Sequence, residues 1–234
     1  IRDSTYNAMM LAMDEAIGVV RKKLAETGQE QNTIIAFISD NGGPTMKGVT
    51  VNGSKNDPLR GSKRTTLEGG IRVPFVVTWQ DHLKPGVYNQ PVIQLDLTAT
   101  ALALGGANAE GIEGVNLMPF LSGENTKAPH DALYWKLGPQ MAVRSGDYKL
   151  VRYDVNADTQ TGQVDQGVTS AKLYNLANDI HEDQDLAGKE PEKVKELEAK
   201  WAEWNRSNVA PLWGGGKGDN DGHEPTGPKR KAGK

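Results

Sequence analysis

The sequence of 234 residues contains no cysteine, which excludes disulfide bonds, thiolate metal ligands and a cysteine nucleophile within this chain. It also lacks a run approaching the roughly 18 apolar residues of a membrane-spanning helix. The net charge of −3 and the pI of about 5.9 leave no basic footprint for binding nucleic acid. The remaining classes are therefore enzymes and binding modules that use other side chains.

The composition indicates many loops, with 37% hydrophobic residues, 27 glycines and 12 prolines. The length suits one large domain or a domain with a smaller companion. The chain begins at Ile1, without an initiator Met and close to a predicted helix. We therefore expect it to be a piece of a longer protein.

The first half of the chain alternates predicted helices and strands. An apolar residue recurs every three or four positions between residues 4 and 27, which predicts an amphipathic helix. These residues are Met9, Met13, Ile17, Val20 and Leu24. Apolar strands are predicted at 34–39 and 73–79, and a second helix at 90–104. The order helix, strand, loop, strand, helix favours an α/β fold with a parallel-type sheet.

The second half of the chain has a different pattern of predicted secondary structure. Four short strand-like segments follow Gly123, which predicts a small antiparallel sheet. The segments read DALYWKL, QMAVRSG, YKLVRYD and AKLYNLA. A helix is predicted at 191–205 to cover this sheet. We expect three parts: an α/β domain at 1–125, a four-stranded subdomain with its packing helix at 126–213, and a disordered tail at 214–234.

Polar residues end the first predicted strand. Asp40, Asn41 and a glycine pair follow the apolar run 34–39 directly. These residue types form chain reversals, but open α/β sheets also bind ligands at the carboxyl ends of their strands. A cluster of Arg60, Lys63 and Arg64 then lies on a glycine-flanked loop. A hard cation held by oxygen ligands next to an ammonium group would suit a tetrahedral oxyanion, whereas the alternative is a solvated surface loop.

Four motifs in the same order resemble the sulfatase family of the alkaline phosphatase superfamily. They are SDNGG at 39–43 with LRGSKRTTLEGGIRVPF at 59–75, EGVNLMPFLSG at 113–123, LYWKLGPQMAVRSGDYKLVRYD at 133–154, and KLYNLANDIHEDQDLAGKEPEKVKELEAKWAEW at 172–204. The resemblance implies part of an alkaline-phosphatase-like mixed sheet flanked by helices. It also implies that a small antiparallel-sheet plus helix subdomain follows.

The resemblance assigns roles to individual residues. Asp40 and Asn41 match the family's aspartate and asparagine ligands of a calcium ion, and Lys63 matches the lysine that contacts the substrate sulfate. Glu68 and Arg72 match a structural stretch, where we expect them to brace the loop. Only two calcium ligands are present, whereas calcium takes about six to eight oxygens, so residues absent from this sequence would complete the one expected ion.

The predicted subdomain should pack beside the mouth of this site. Substrate choice would then depend partly on loops around His130, Lys136 and Arg144, with Arg144 as a candidate substrate-binding residue. The alternative is that Lys136 and Arg144 are solvated strand residues. His130 and His181 are better interpreted as ordinary surface or capping histidines.

The family's nucleophile motif, Cys/Ser-x-Pro-x-Arg, does not occur in this sequence. The resemblance places it, with the remaining metal ligands, in the amino-terminal half of the enzyme. We therefore expect a carboxyl-terminal half that is inactive until the missing amino-terminal half is joined to it or docked on it. Residues 1–125 should consequently leave one sheet edge and one apolar face uncovered.

The resemblance implies a fragment of a sulfuric ester hydrolase whose parent uses a formylglycine nucleophile and calcium. The expected substrates are sulfate esters, among them sulfated glycans, and the expected location is periplasmic or secreted. Two alternatives stay open. One is a phosphodiesterase or phosphonate hydrolase of the same superfamily, and the other is a non-catalytic module that binds sulfated glycans.

Overall fold

The computed structural model describes residues 4–45, 54–155 and 167–209. The predicted tail and most of the polar segment after residue 155 lie outside the described residues. The helices are α1 (Ser4–Glu26), α2 (Glu68–Ile71), α3 (Leu95–Leu104), α4 (Met118–Leu121) and α5 (Pro191–Arg206), with a 3-10 turn at Glu30–Asn32. The strands are β1 (Ile35–Ile38), β2 (Phe75–Thr78), β3 (Leu133–Leu137), β4 (Gln140–Ser145), β5 (Tyr148–Arg152) and β6 (Lys172–Asn175).

Strands β1 and β2 pair antiparallel, with Ile35 opposite Thr78 and Ile38 opposite Phe75. The parallel pairing that the element order suggested is therefore wrong for these two strands. Parallel neighbours need a crossover connection, usually a helix. Here the connection holds only the single-turn helix α2 among its described residues, and it returns the chain to the end of the sheet that it left.

Helix α1 forms as predicted, but none of its residues is buried. Most of its apolar side chains are exposed, Met9 and Val19 by 66% and 69%, while Ile17 and Leu24 are half-buried. No other described strand pairs with β1 or β2, so both outer edges of that sheet are open. The predicted uncovered apolar face and sheet edge are thus confirmed. None of the described helices has the length and apolar character needed to cross a membrane.

The predicted four-stranded antiparallel sheet is confirmed, with the spatial order β3-β4-β5-β6. Two tight turns connect its first three strands. Gly138 and Gly146 lie in these turns with φ of 55° and 58°. Glycine adopts this left-handed conformation without steric cost, and so these turns close within two residues.

The four-stranded sheet is covered on both faces. Successive side chains of a strand point to opposite faces, and this sheet has apolar residues at both sets of positions. One face packs on α5, through Met141, Val143, Leu150, Leu173 and Leu197. The other face packs on residues 60–68, which we call the Lys63 loop. Leu67 of this loop is fully buried in a core with Ala142, Val151, Tyr153, Tyr174 and Leu176. The Lys63 loop is thus built onto the four-stranded sheet.

His130 is a structural residue rather than a surface one. Its side chain is 10% exposed, and its Nε2 lies 2.9 Å and 3.0 Å from the two carboxylate oxygens of the buried Asp96. The same carboxylate accepts hydrogen bonds from the backbone N–H groups of Ile93 and Val115. The pair fixes the start of α3 to the segment that leads into β3. His181, in contrast, is an exposed residue beside Asp183, as expected.

Candidate active site

The turn after β1 carries the two predicted metal ligands. Asp40 is exposed, and Asn41 is half-buried. The Nδ2 of Asn41 donates to the carbonyl of Gly42 at 2.9 Å, while the Ser39 hydroxyl donates to the carbonyl of Asn41 at 2.8 Å. These bonds fix the turn, and the Asn41 Oδ1 atom is left as a possible ligand. The segment is therefore a turn that also presents two oxygen-bearing side chains.

Glycines let this turn press against the end of the Lys63 loop. The backbone N–H of Gly42 donates to the carbonyl of Gly70 at 2.9 Å. A Cβ atom on Gly42 would lie 1.7 Å from the carbonyl oxygen of Gly69, and one on Gly69 would lie 2.5 Å from the carbonyl oxygens of Arg60 and Gly61. The two glycine pairs thus permit backbone packing that any side chain would block.

Asn56 ties the same two segments together. Its Oδ1 accepts the backbone N–H of Gly43, and its Nδ2 donates to the carbonyls of Gly43 at 2.9 Å and Gly61 at 3.0 Å. The backbone N–H of Lys63 also donates to the Gly43 carbonyl at 3.4 Å. The turn at 40–43 is therefore bonded directly to the Lys63 loop. Nothing in the sequence marked Asn56 for this role.

The tip of the Lys63 loop presents two cations. Ser62 and Thr65 are buried at its base, where the Thr65 hydroxyl donates to the Ser62 carbonyl at 2.8 Å. Lys63 and Arg64, between them, are exposed. The backbone of Arg64 has φ of 74°, which is uncommon for a residue with a side chain. This closed turn holds the Lys63 side chain outward.

Arg60, the third member of the predicted basic cluster, is an anchor. Its Nη1 donates to the carbonyl of Glu182 at 2.6 Å and its Nη2 to the hydroxyl of Tyr153 at 2.9 Å. The guanidinium also lies over the Tyr153 ring, 5.2 Å from its centroid. Arg60 therefore holds the Lys63 loop on the sheet, while Lys63 and Arg64 remain at the exposed tip.

A buried ion cluster fixes the other end of the loop. The fully buried Lys149 Nζ lies 2.8 Å from Glu68 Oε1 and 2.9 Å from Glu182 Oε1. Arg72 approaches Glu68 at 3.7 Å, so the predicted bracing contact is confirmed. Burial raises the pKa of Glu68, but the combined attraction of Lys149, Arg144 and Arg72 outweighs burial, and the pKa is lowered. Burial also raises the pKa of Glu182. For this group the effect of burial is larger than the attraction of Lys149, so the pKa is raised.

Sequence reasoning missed Lys149 and Glu182, although one signal was available for the lysine. In β5, Lys149 shares the loop-facing side of the sheet with Val151, because strand residues alternate between faces. A lysine at such an inward position needs a carboxylate partner. Glu182 has no comparable signal because it lies in a connection between β6 and α5.

Arg144 and Lys136 lie on opposite faces of the four-stranded sheet. Lys136 donates to Asn205 of α5 at 3.1 Å, which is the behaviour expected of a solvated strand residue. Arg144 donates to the carbonyl of Gly146 at 3.1 Å. Burial lowers the pKa of Arg144, while the nearby Glu68 carboxylate raises it in part. A substrate contact by Arg144 stays a prediction.

The chemistry of Asp40 and Asn41 fits a hard cation such as calcium, which prefers carboxylate and amide oxygens. Within residues 4–45, 54–155 and 167–209, no three His, Cys, Asp or Glu side chains come together as a metal site. The residues present therefore fit part of a calcium shell and do not complete it.

The turn with Asp40 and Asn41 is thus packed on the lysine-bearing loop, and a four-stranded subdomain follows in the chain. The family model described as Sulfatase matches residues 2–107. The model described as N-sulphoglucosamine sulphohydrolase, C-terminal, matches residues 61–205, which is more than half of the chain. This chain belongs to the sulfatase family.

Curated relatives include arylsulfatase A from Homo sapiens, 30% identical over 213 residues, a match that covers 82% of this chain and 41% of the relative. Arylsulfatase A from Bos taurus is 33% identical over 164 residues, covering 66% of this chain and 32% of the relative. The chain thus spans well under half the length of these relatives.

Solved structures confirm the α/β fold with its small sheet subdomain. The crystal structure of Ps i-CgsB matches with a TM-score of 0.76 and 28% identity, covering 93% of this chain and 47% of that one. The PsFucS1 sulfatase from Pseudoalteromonas sp. matches with a TM-score of 0.68 and 28% identity, covering 86% and 43%.

Proposed function

We propose that this chain contributes the sulfate-binding lysine and part of the calcium site of an enzyme that hydrolyses sulfate esters. The observation that supports this proposal best is the bonding between the turn at 40–43 and the Lys63 loop. Two segments that are separate in sequence are joined in space, and each carries a residue that matches a sulfatase motif. Membership of the sulfatase family points to the same reaction.

Lys63 is the group that acts on the substrate. Its ammonium neutralises negative charge on the non-bridging sulfate oxygens, and a cation fixed before the reaction stabilises charge without reorganisation. Asp40 and Asn41 would hold a calcium ion, which would supply Lewis-acid polarisation of the sulfate group when bound. The closed turn between Ser62 and Thr65 keeps the ammonium directed outward, where a sulfate group can reach it.

The substrate that we propose is a sulfated glycan. The relatives include N-acetylgalactosamine-6-sulfatase from Mus musculus, 33% identical over 149 residues. The structure of Ps i-CgsB has also been solved in complex with k-i-k-neocarrahexaose, and that structure is 28% identical to this chain with a TM-score of 0.75. Both names point to sugars in relatives of this chain.

The proposal requires groups that this sequence does not contain. A Cys/Ser-x-Pro-x-Arg motif is absent, so a formylglycine nucleophile would have to come from a segment outside this sequence, together with the remaining calcium ligands. The open edges of the β1–β2 sheet and the exposed apolar face of α1 offer a surface on which such a segment could pack. By itself the chain should therefore be inactive.

The test compares the chain alone with the chain complemented by the amino-terminal half of a family member, co-produced so that its formylglycine forms. Both preparations are assayed with an aryl sulfate and with an aryl phosphate diester, with and without calcium. We expect calcium-dependent sulfate release by the complemented enzyme only. Preferential cleavage of the phosphate diester would instead favour a phosphodiesterase, and binding of sulfated glycan without turnover would favour a non-catalytic module.

A further inference from the structure

The strained point of the Lys63 loop is the residue directly after Lys63. Arg64 has φ of 74°, in the left-handed region that residues with a Cβ atom rarely occupy. Such a conformation persists where surrounding contacts hold it. The direction in which Lys63 leaves the backbone thus depends on whatever fixes the peptide groups around Arg64.

Gln140 of β4 makes those contacts. Its side chain is buried, and its Nε2 donates to the carbonyl of Arg64 at 2.8 Å. Its Oε1 accepts the backbone N–H of Thr66 at 3.3 Å and that of Asp154 at 3.2 Å. One amide group therefore bonds the two peptide groups that directly follow the Arg64 Cα atom and joins them to the four-stranded sheet.

The base of the loop is anchored independently of Gln140. Leu67 is buried in the core of the sheet, and the backbone N–H of Glu68 donates to Glu182 at 2.7 Å. Arg60 bonds Glu182 and Tyr153 at the other end. Because these anchors stay in place without Gln140, its loss should loosen the tip of the loop and leave the fold of the sheet intact.

We propose that Gln140 is a positioning residue that holds the Arg64 peptide and so sets where Lys63 points in the sulfate site. The part that concerns catalysis rests on the proposed function, because Lys63 must contact sulfate for its position to matter. The part that concerns how Gln140 fixes the loop is independent of the proposed function. The four-stranded subdomain would then contribute to the reaction by shaping the site from behind, without touching the substrate itself.

The first measurement is amide hydrogen exchange by NMR on the full chain, comparing wild type with Gln140→Met. The amides of Lys63 and Thr65 are the reporters, because their own acceptors, Gly43 and Ser62, are not altered by the substitution. We expect both to exchange about tenfold faster, while Leu150 in the sheet is unchanged. Unchanged exchange at the reporters, or an equal rise at Leu150, would overturn the proposal.

Two further variants guard this result. Gln140→Glu keeps an oxygen that accepts from Thr66 and Asp154, and in its ionised form it cannot donate to Arg64, although it also adds a negative charge at this buried position. It is the second variant to measure if Gln140→Met does not fold. Ser145→Ala, at the far end of β4, removes a hydrogen bond to the Asp131 carbonyl and is the matched control. It should leave the exchange of Lys63 and Thr65 unchanged.

The second measurement is a double-mutant cycle in the complemented enzyme. If Gln140 acts through Lys63, Gln140→Met should lower kcat/KM about tenfold in wild type and have no effect when Lys63 is already Ala. An equal loss in both backgrounds would overturn positioning of Lys63. If Lys63→Ala itself has no effect, the proposed sulfate role of Lys63 fails, and the exchange data alone then decide whether Gln140 positions the loop.

Discussion

The carboxylate of Glu182 accepts the backbone N–H of Glu68 at 2.7 Å, across 114 positions of sequence. This bond joins the Lys63 loop to a connection that follows the last strand of the four-stranded sheet. The fully buried Lys149 lies against both carboxylates and offsets part of their negative charge. The end of the Lys63 loop and the four-stranded subdomain are therefore one packed unit.

Removing Lys149 should destabilise this unit strongly. Lys149→Met leaves two buried carboxylates without their cation, and breaking a buried ion pair in this way costs about 3–5 kcal/mol. The free energy of unfolding from urea titration is the measurement. Lys136→Met, which removes an exposed lysine of the same sheet, is the control and should change stability by less than about 0.5 kcal/mol. A loss below about 1 kcal/mol at Lys149 would contradict the role given to the ion cluster.

The pH dependence of stability should change when Glu182 can no longer ionise. Because the pKa of Glu182 is raised in the folded state, the folded protein binds its proton more tightly than the unfolded chain does. The stabilisation that this tighter proton binding gives the folded state is fully present below the unfolded pKa of about 4.5. It is lost as the pH rises through the pKa that Glu182 has in the folded state.

Glu182→Gln removes this titration. The stability of the variant relative to wild type should therefore improve as the pH rises from about 4.5 to about 7. Urea titrations of both proteins across this range measure the difference. A difference that is constant with pH, or that falls as the pH rises, would show that the pKa of Glu182 is not raised.

A methyl group at Gly42 should break the contact between the turn at 40–43 and the Lys63 loop. Its Cβ atom would lie 1.7 Å from the Gly69 carbonyl oxygen, so the two backbones would have to separate. Gly42→Ala should lower the free energy of unfolding by at least about 1–3 kcal/mol, the cost of overpacking in protein cores, and should lower the melting temperature with it. Urea and thermal unfolding measure the two quantities.

Gly18→Ala is the matched control for this substitution. Gly18 lies inside α1 with open space around it, and alanine is favoured over glycine there by about 0.8–1 kcal/mol. The same chemical change should therefore be stabilising at position 18 and destabilising at position 42. Similar effects at both positions would refute the close approach of the two segments.

The sequence predicted those features that local patterns encode. Four short strands, helix α1 and helix α5 were predicted from apolar spacing and are confirmed. The roles of Asp40, Asn41 and Lys63 were assigned from motifs and stay predictions. Hydrogen bonds between residues far apart in the sequence are not marked by any local pattern. Gln140 and Asn56 are polar residues near turns, where either would suit solvent equally well, and their roles depend on how the chain folds back.

The antiparallel pairing of β1 and β2 was mispredicted for a related reason. Strand order along the chain does not say at which end of the sheet a long connection returns. Here the connection is held by the Gly42–Gly70 bond beside the end of β1, which places Phe75 opposite Ile38. Glycine pairs in the two segments are necessary for this packing, but only the structure shows that they meet.

The most direct test of the account is the rate of sulfate-ester hydrolysis by the complemented enzyme after Lys63→Ala, with Arg64→Ala as control. Both residues are exposed cations at the tip of one loop, but only Lys63 is assigned to the sulfate. We expect Lys63→Ala to lower kcat by about 10²–10³, and Arg64→Ala to leave kcat within about threefold of wild type. Equal losses for the two variants, or full activity without Lys63, would contradict this assignment.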